Sequence, residues 1–246
     1  MKGIMNAKNW YETIDIGELK TIKNRAMGER HVPINHGECL DFFKNKLSDN
    51  NVNVLDEVGM LSNDEKKYLY VVEAKVAGVG EDVTFKLGFI NYNNQQKSLT
   101  VVAGEQVLIC SNEMYTGEME NTKRRHTKNA WNDIGTKFDN GIEYFEKFVE
   151  TRTIEIGQLK GIQFPETALA NMVLKMHRGK IVSNTNIDRI IEEFDNPSYD
   201  YGLGGSTAWD FMNAYSHIRK QFTDPISAMQ TDKFIDTIVK QELLVA

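Results

Sequence analysis

Residues 68–110 decide the fold: Tyr68-Leu-Tyr-Val-Val-Glu-Ala-Lys-Val-Ala77, Val83-Thr-Phe-Lys-Leu-Gly-Phe-Ile-Asn-Tyr92 and Leu99-Thr-Val-Val-Ala-Gly-Glu-Gln-Val-Leu-Ile-Cys110. The first run is rich in Val and Tyr, the second alternates, and both traits suit a pleated surface. Residues 78–82 and 91–97 separate the runs with turn formers. Three extended runs with short connections predict an antiparallel β-meander. Gly104, inside the third run, predicts a bulge or a break into two shorter strands.

Upstream, Cys39, Leu40, Phe43 and Leu47 recur at helical spacing over residues 36–47, and Asp49-Asn50-Asn51 ends that helix in a turn. Residues 1–30 show no strong periodicity and are expected to form an arm. Downstream of Thr116-Gly117, the stripe Trp131, Ile134, Phe138, Ile142, Phe145 and Val149 predicts one long amphipathic helix, with Gly135 and Gly141 as a kink. Further helices are expected at 165–176, 186–194, 207–222 and 225–244. Pro165 and Pro225 stand near first-turn positions, and Ser206 or Thr207 is placed as a cap. The glycine-rich loop 196–205 is the expected hinge. The fold class is therefore α+β: a three-stranded antiparallel meander, a long helix and a helical C-terminal half. The expected division is an arm at 1–30, an α+β core at 31–160 and a helical region at 161–246.

The formal net charge of −6 weighs against a protein that coats nucleic acid with its whole surface, but leaves room for a local basic patch. Two cysteines, Cys39 and Cys110, make no disulfide framework and have no zinc-type spacing. They read as reduced thiols of a cytoplasmic protein. Residues 1–10 contain no apolar leader, and no apolar run is long enough to cross a bilayer. The expectation is a cytoplasmic protein that does not engage membranes.

The strongest motif is Thr122-Lys-Arg-Arg-His-Thr-Lys128. Lys123, Arg124, Arg125 and Lys128 would neutralise phosphates, His126 would bond one, and a helix N-terminus would add amide donors. Lys75, Lys86 and Lys97 would extend the path along the meander. The competing reading is a solvated helix end, and cations at a helix N-terminus oppose the macrodipole. A second candidate is the loop at Cys110-Ser-Asn112, where a nucleophilic Cys110 would need a base such as His126. Its alternative is a buried thiol with Asn112 bonding a turn.

His31, His36, His126, His177 and His217 are scattered without metal-ligand spacing, and Glu192, Glu193 and Asp195 read as a surface cluster. There is no phosphate-loop or dinucleotide-binding glycine pattern. No metal, cofactor or enzymatic activity is expected. Trp209, Phe211 and Tyr215 read as a core stripe. The helix pair around residues 179–183 is rejected as a helix-turn-helix, because its second helix is acidic.

Several stretches together resemble the phage and plasmid family termed domain of unknown function 932. They are Val32-Pro33 with His36 and the helix that follows, the strand ending Val-Leu-Ile-Cys110-Ser-Asn112, Arg125-His126-Thr127, and Thr207-Ala-Trp209-Asp with Asn213-Ala214. The short loop between Asn112 and Arg124 departs from that family. The resemblance implies origin in a mobile element and carries no mechanism. A meander running into a long helix with basic residues at the junction is also similar in architecture to ring-forming single-strand annealing proteins. That likeness implies phosphate contacts from Lys123, Arg124, Arg125 and Lys128. The expected function is cofactor-free binding of single-stranded DNA by a homo-oligomer in an infected bacterial cell, in annealing or recombination. The alternative is a host-takeover or anti-defence protein that binds a host protein or a nucleotide signal.

Overall fold

A computed structural model describes residues 10–12, 15–74, 83–107, 112–118, 122–180, 182–199, 206–221 and 225–243. The architecture is α+β. One antiparallel sheet runs in chain order through β1 (Trp10–Glu12), β2 (Val54–Ser62), β3 (Lys67–Ala74), β4 (Val83–Tyr92), β5 (Thr100–Val107) and β6 (Asn112–Glu118). The helices are α1 (Ile16–Thr21), α2 (His36–Asp49), α3 (Ile134–Gly161), α4 (Glu166–Gly179), α5 (Asn184–Asp195), α6 (Ala208–Arg219) and α7 (Pro225–Leu243). No helix among the described residues is long and apolar enough to cross a membrane.

The expected meander forms the centre of this sheet as β3, β4 and β5, but among the described residues the sheet has six strands rather than three. β2 escapes a propensity reading because Asp56, Glu57 and Gly59 dilute it, and its first half is exposed. Pairing with the apolar β3 supplies what its own residues do not, in a register from Val58↔Val71 to Leu61↔Tyr68. β6 covers Asn112–Glu118, where the sequence predicts a loop. β1 falls inside the expected arm and pairs Trp10 with Ser62. At Gly104 the register against β6 shifts between Ala103 and Glu105, while Lys86↔Gly104 stays in step with β4. The extra residue lies in β6, where residues 115 and 116 span the interval that Gly104 alone spans in β5. β5 therefore runs as one strand, and the bulge expected in it is found in its neighbour.

The pleat sends Tyr68, Tyr70, Val72, Phe85, Leu87, Phe89, Val101 and Ala103 toward the helices, into the main core. Met60, Leu69, Val71, Ile90, Tyr92 and Val102 form a second buried cluster of opposite pleat. At the centre of the main core Phe43 of α2, Phe89 of β4 and Phe138 of α3 stand with ring centroids 4.8 to 5.6 Å apart.

The long helix starts at Ile134 and runs without interruption through Gly141. A Cβ there would lie 2.7 Å from Val101 Cγ1, and the missing side chain lets α3 approach β5. α6 begins with the expected cap: Thr207 Oγ1 accepts from the Asp210 amide, and the Asp210 carboxylate accepts from the Thr207 amide. Trp209, Phe211 and Tyr215 are buried core residues. Of the expected hinge, residues 200–205 lie outside the described residues.

Candidate nucleic-acid interface

Strand order brings three chain segments to one end of the sheet, and hydrogen bonds add a fourth, residues 22–35. The β2–β3 turn and the β4–β5 loop share that end, and the chain returns to it after β6. Backbone bonds knit the segments together. Leu99 and Arg124 exchange both hydrogen bonds, at 3.0 and 2.8 Å. The Val32 amide donates to the His126 carbonyl at 3.1 Å, and the Asn93 amide to the Lys66 carbonyl at 2.7 Å. Asn24 Nδ2 donates to the Glu65 carbonyl. The separate stretches Val32-Pro33, His36 and Arg125-His126, which stand out in the sequence, thus meet here.

Their interior is a polar knot. Asn91 Nδ2 lies 2.9 Å from the Ile34 carbonyl and 2.9 Å from His36 Nδ1, and Asn91 Oδ1 lies 2.7 Å from His126 Nε2. Asn93 donates to and accepts from Ile34, and His36 Nε2 is 3.1 Å from the Glu65 carbonyl. His31 packs 5.7 Å from His126 and accepts from the Met27 amide. Burial lowers the pKa of all three histidines, to about 4 for His36 and His126. Both are neutral at pH 7. His126 therefore bonds Asn91 in the interior, and the expected phosphate contact from it is replaced by a structural role. Asn91, which reads as a turn former, is the last inward-facing residue of β4.

The four segments, residues 22–35, 63–67, 93–99 and 122–128, carry Lys23, Arg25, Arg30, Lys66, Lys67, Lys97, Lys123, Arg124, Arg125 and Lys128 against only Glu29, Asp64 and Glu65. A chain of net charge −6 thus has one strongly cationic end. Lys23, Arg25, Arg30, Arg125 and Lys128 are exposed. Among the described residues, Arg125 and Lys128 make no hydrogen bond or ion pair. Lys123 is half-buried and partnered. The Lys97 ammonium lies 5.8 Å from the Tyr92 ring centroid. Lys86 is buried on the opposite pleat and adds nothing to an exposed path. Lys75 and Cys110 lie outside the described residues, and Asn112 opens β6.

The basic run does not head the long helix. It precedes a 3-10 turn, Ala130–Asn132, and Asp133 then has a non-helical backbone (φ −132°, ψ 2°) before α3 begins. Its cations therefore escape the macrodipole cost that a helix start would impose. The break also rotates Trp131 out of the helical stripe, and its side chain is 41% exposed. Arg124 is spent on this turn: Nη2 donates to the Asn129 carbonyl at 3.0 Å, and Nε lies 2.5 Å from Asp133 Oδ1.

A second polar cluster, which the sequence does not reveal, lies in the core. Arg152 of α3 is 1% exposed and bonds Glu105 through Nε and Nη2 (2.9 and 2.6 Å), and Asp236 and Glu155 through Nη1 (2.6 and 3.0 Å). Lys240 joins Glu155 to Asp236. Its one signal in the sequence is an arginine at an apolar position of the α3 stripe. These groups tie β5, α3 and α7 together. Among the described residues, no group of three or more His, Cys, Asp or Glu is arranged to hold a metal ion. Cys39 is a fully buried thiol, its pKa pushed up by burial. Compared with known proteins, the chain matches no family model, no curated protein and no solved structure.

Proposed function

We propose that this protein binds single-stranded nucleic acid through its phosphate backbone, at the cationic end of the sheet. The observation that supports this reading is the segregation of charge. Ten cations from four distant segments converge on one end of an acidic protein, and two of the exposed ones, Arg125 and Lys128, have no internal acidic partner among the described residues. Leaving like charges close together costs stability unless a polyanion offsets their repulsion. Spread over a surface instead of gathered into a nest, they suit a linear polyanion better than one small phosphate.

In this reading Arg125 and Lys128 are the main contacts, and Lys23, Arg25 and Arg30 continue the track. The His–Asn knot beneath holds the segments in place and takes no part in binding. Annealing by a homo-oligomer, in a phage-infected bacterium, is the activity that fits such a surface without a cofactor.

The test is a fluorescence-anisotropy titration with labelled single- and double-stranded oligonucleotides at low and moderate salt. The expected result is single-strand binding that weakens steeply with salt. Arg125→Glu with Lys128→Glu lowers affinity and reduces the salt slope by about 1.4, at about 0.7 for each phosphate no longer neutralised. Absence of binding at low salt, or an unchanged slope in the double variant, overturns the assignment.

A further inference from the structure

Trp131 is the largest aromatic side chain that the described residues leave exposed, and it stands three residues beyond Lys128. Most of a folded surface tolerates a stray apolar side chain. Trp131 differs in how it is held. It sits in the 3-10 turn Ala130–Asn132, and Arg124 grips both flanks of that turn through the Asn129 carbonyl and the Asp133 carboxylate. The Ala130 and Asn132 amides close the turn onto Thr127 and Asn129, at 2.9 and 3.2 Å. Phe42 of α2 meets the indole at a ring-centroid distance of 6.1 Å and an interplanar angle of 87°. An edge-on neighbour braces a ring without stacking on it.

We infer that Trp131 is a base-stacking platform, and that single-stranded nucleic acid lies with phosphates on Arg125 and Lys128 and a base against the indole. This rests on the phosphate-binding reading above and adds to it the group that distinguishes single strands from duplexes. A cationic track alone attracts any nucleic acid, whereas an indole face needs a base freed from its own stack. A ring already braced loses little conformational freedom on binding, so its stacking contributes in full. Arg124 is a positioning residue here, spending its charge on the turn rather than on the ligand.

The experiment compares the wild-type protein with Trp131→Ala and Trp131→Phe. Ligands are a single-stranded thymidine oligomer, an abasic oligomer of equal length and a duplex, and circular dichroism verifies folding. Trp131→Ala is expected to weaken binding of the thymidine oligomer roughly 5- to 150-fold, the equivalent of one base–aromatic stack, with an unchanged salt slope. Trp131→Phe retains part of the affinity. The abasic oligomer binds wild type and Trp131→Ala alike, and the preference for single strands over duplex shrinks in the Ala variant. Equal affinity of wild type and Trp131→Ala for the thymidine oligomer overturns the stacking role and leaves the phosphate reading standing. An equal weakening on the abasic oligomer overturns it as well. Failure of the wild type to bind any oligomer at low salt overturns both.

Discussion

The side-chain oxygen of Asn91 lies 2.7 Å from Nε2 of His126, and this contact fixes the protonation of the knot beneath the cationic end. The Ile34 carbonyl, 2.9 Å away, requires the Asn91 amide nitrogen on its side, so the oxygen faces His126 and His126 donates through Nε2. The second amide proton of Asn91 goes to His36 Nδ1, which leaves His36 Nε2 to donate to the Glu65 carbonyl. Every polar atom of the Asn91 side chain has a partner, and both histidines are neutral.

Asn91→Ala leaves His126 Nε2 and His36 Nδ1 without a partner inside the protein, while the Ile34 carbonyl keeps its bond from Asn93. Each buried group left without a partner costs about 1–3 kcal/mol, so the variant is expected to lose about 2 kcal/mol or more. Urea denaturation measures it. A loss under about 1 kcal/mol would show that the knot contributes little to stability.

Acid should weaken the fold before its ordinary carboxylates titrate. The pKa of His36 and His126 is lowered from 6.5 to about 4 by burial, and for His126 also by the neighbouring His31 and His36. For a base whose folded-state pKa is depressed, stability is fully present above the unfolded value and falls as pH drops from about 6.5 toward 4. Each histidine is expected to cost on the order of 2 kcal/mol by pH 5. Glu105 acts in the opposite sense, because burial raises its pKa and acid relieves it. Urea midpoints between pH 7 and 5 should therefore fall, and fall less in a His126→Gln background. A flat profile in the parent protein would contradict the neutral assignment.

Arg152→Met leaves Glu105 buried without its cation and Asp236 with Lys240 alone, and is expected to cost about 3–5 kcal/mol. Glu105→Gln should cost less, since burial already favours its uncharged form and its Oε2 has no partner among the described residues. Replacing Arg152, Glu105 and Asp236 together with apolar residues of similar volume should recover most of the loss. Thermal unfolding of the three variants ranks them, and equal losses for Arg152→Met and Glu105→Gln would contradict this account.

Gly141→Ala drives a methyl group to 2.7 Å from Val101 Cγ1 and 2.9 Å from Cγ2. Overpacking of this kind costs about 1–3 kcal/mol. Val101→Ala makes room for the methyl, so the double variant should be more stable than the two single losses imply when summed. A double-mutant cycle with zero coupling would mean that α3 shifts away from β5 instead.

Sequence alone determined whatever rests on local periodicity and local chemistry. The apolar runs of β3, β4 and β5, the Cys39-Leu40-Phe43-Leu47 face of α2 and the Thr207 cap are each specified within a few neighbouring residues. The basic run 122–128 is equally visible as a string of cations. Tertiary structure decided the rest, because pairing and burial act between residues far apart in the chain. Only pairing with β3 makes a strand of the acidic stretch in β2, and only the Arg124 clamp and the break at Asp133 turn Trp131 outward. Asn91 and His126 have the propensities of a turn former and a surface base. Partners 35 to 57 residues away make them an interior pair. The cationic end is likewise a product of tertiary structure: antiparallel strands in chain order return the segments of Lys66, Lys97 and Arg125 to one end, and the bonds of Asn24 and Val32 add the segment that carries Lys23, Arg25 and Arg30.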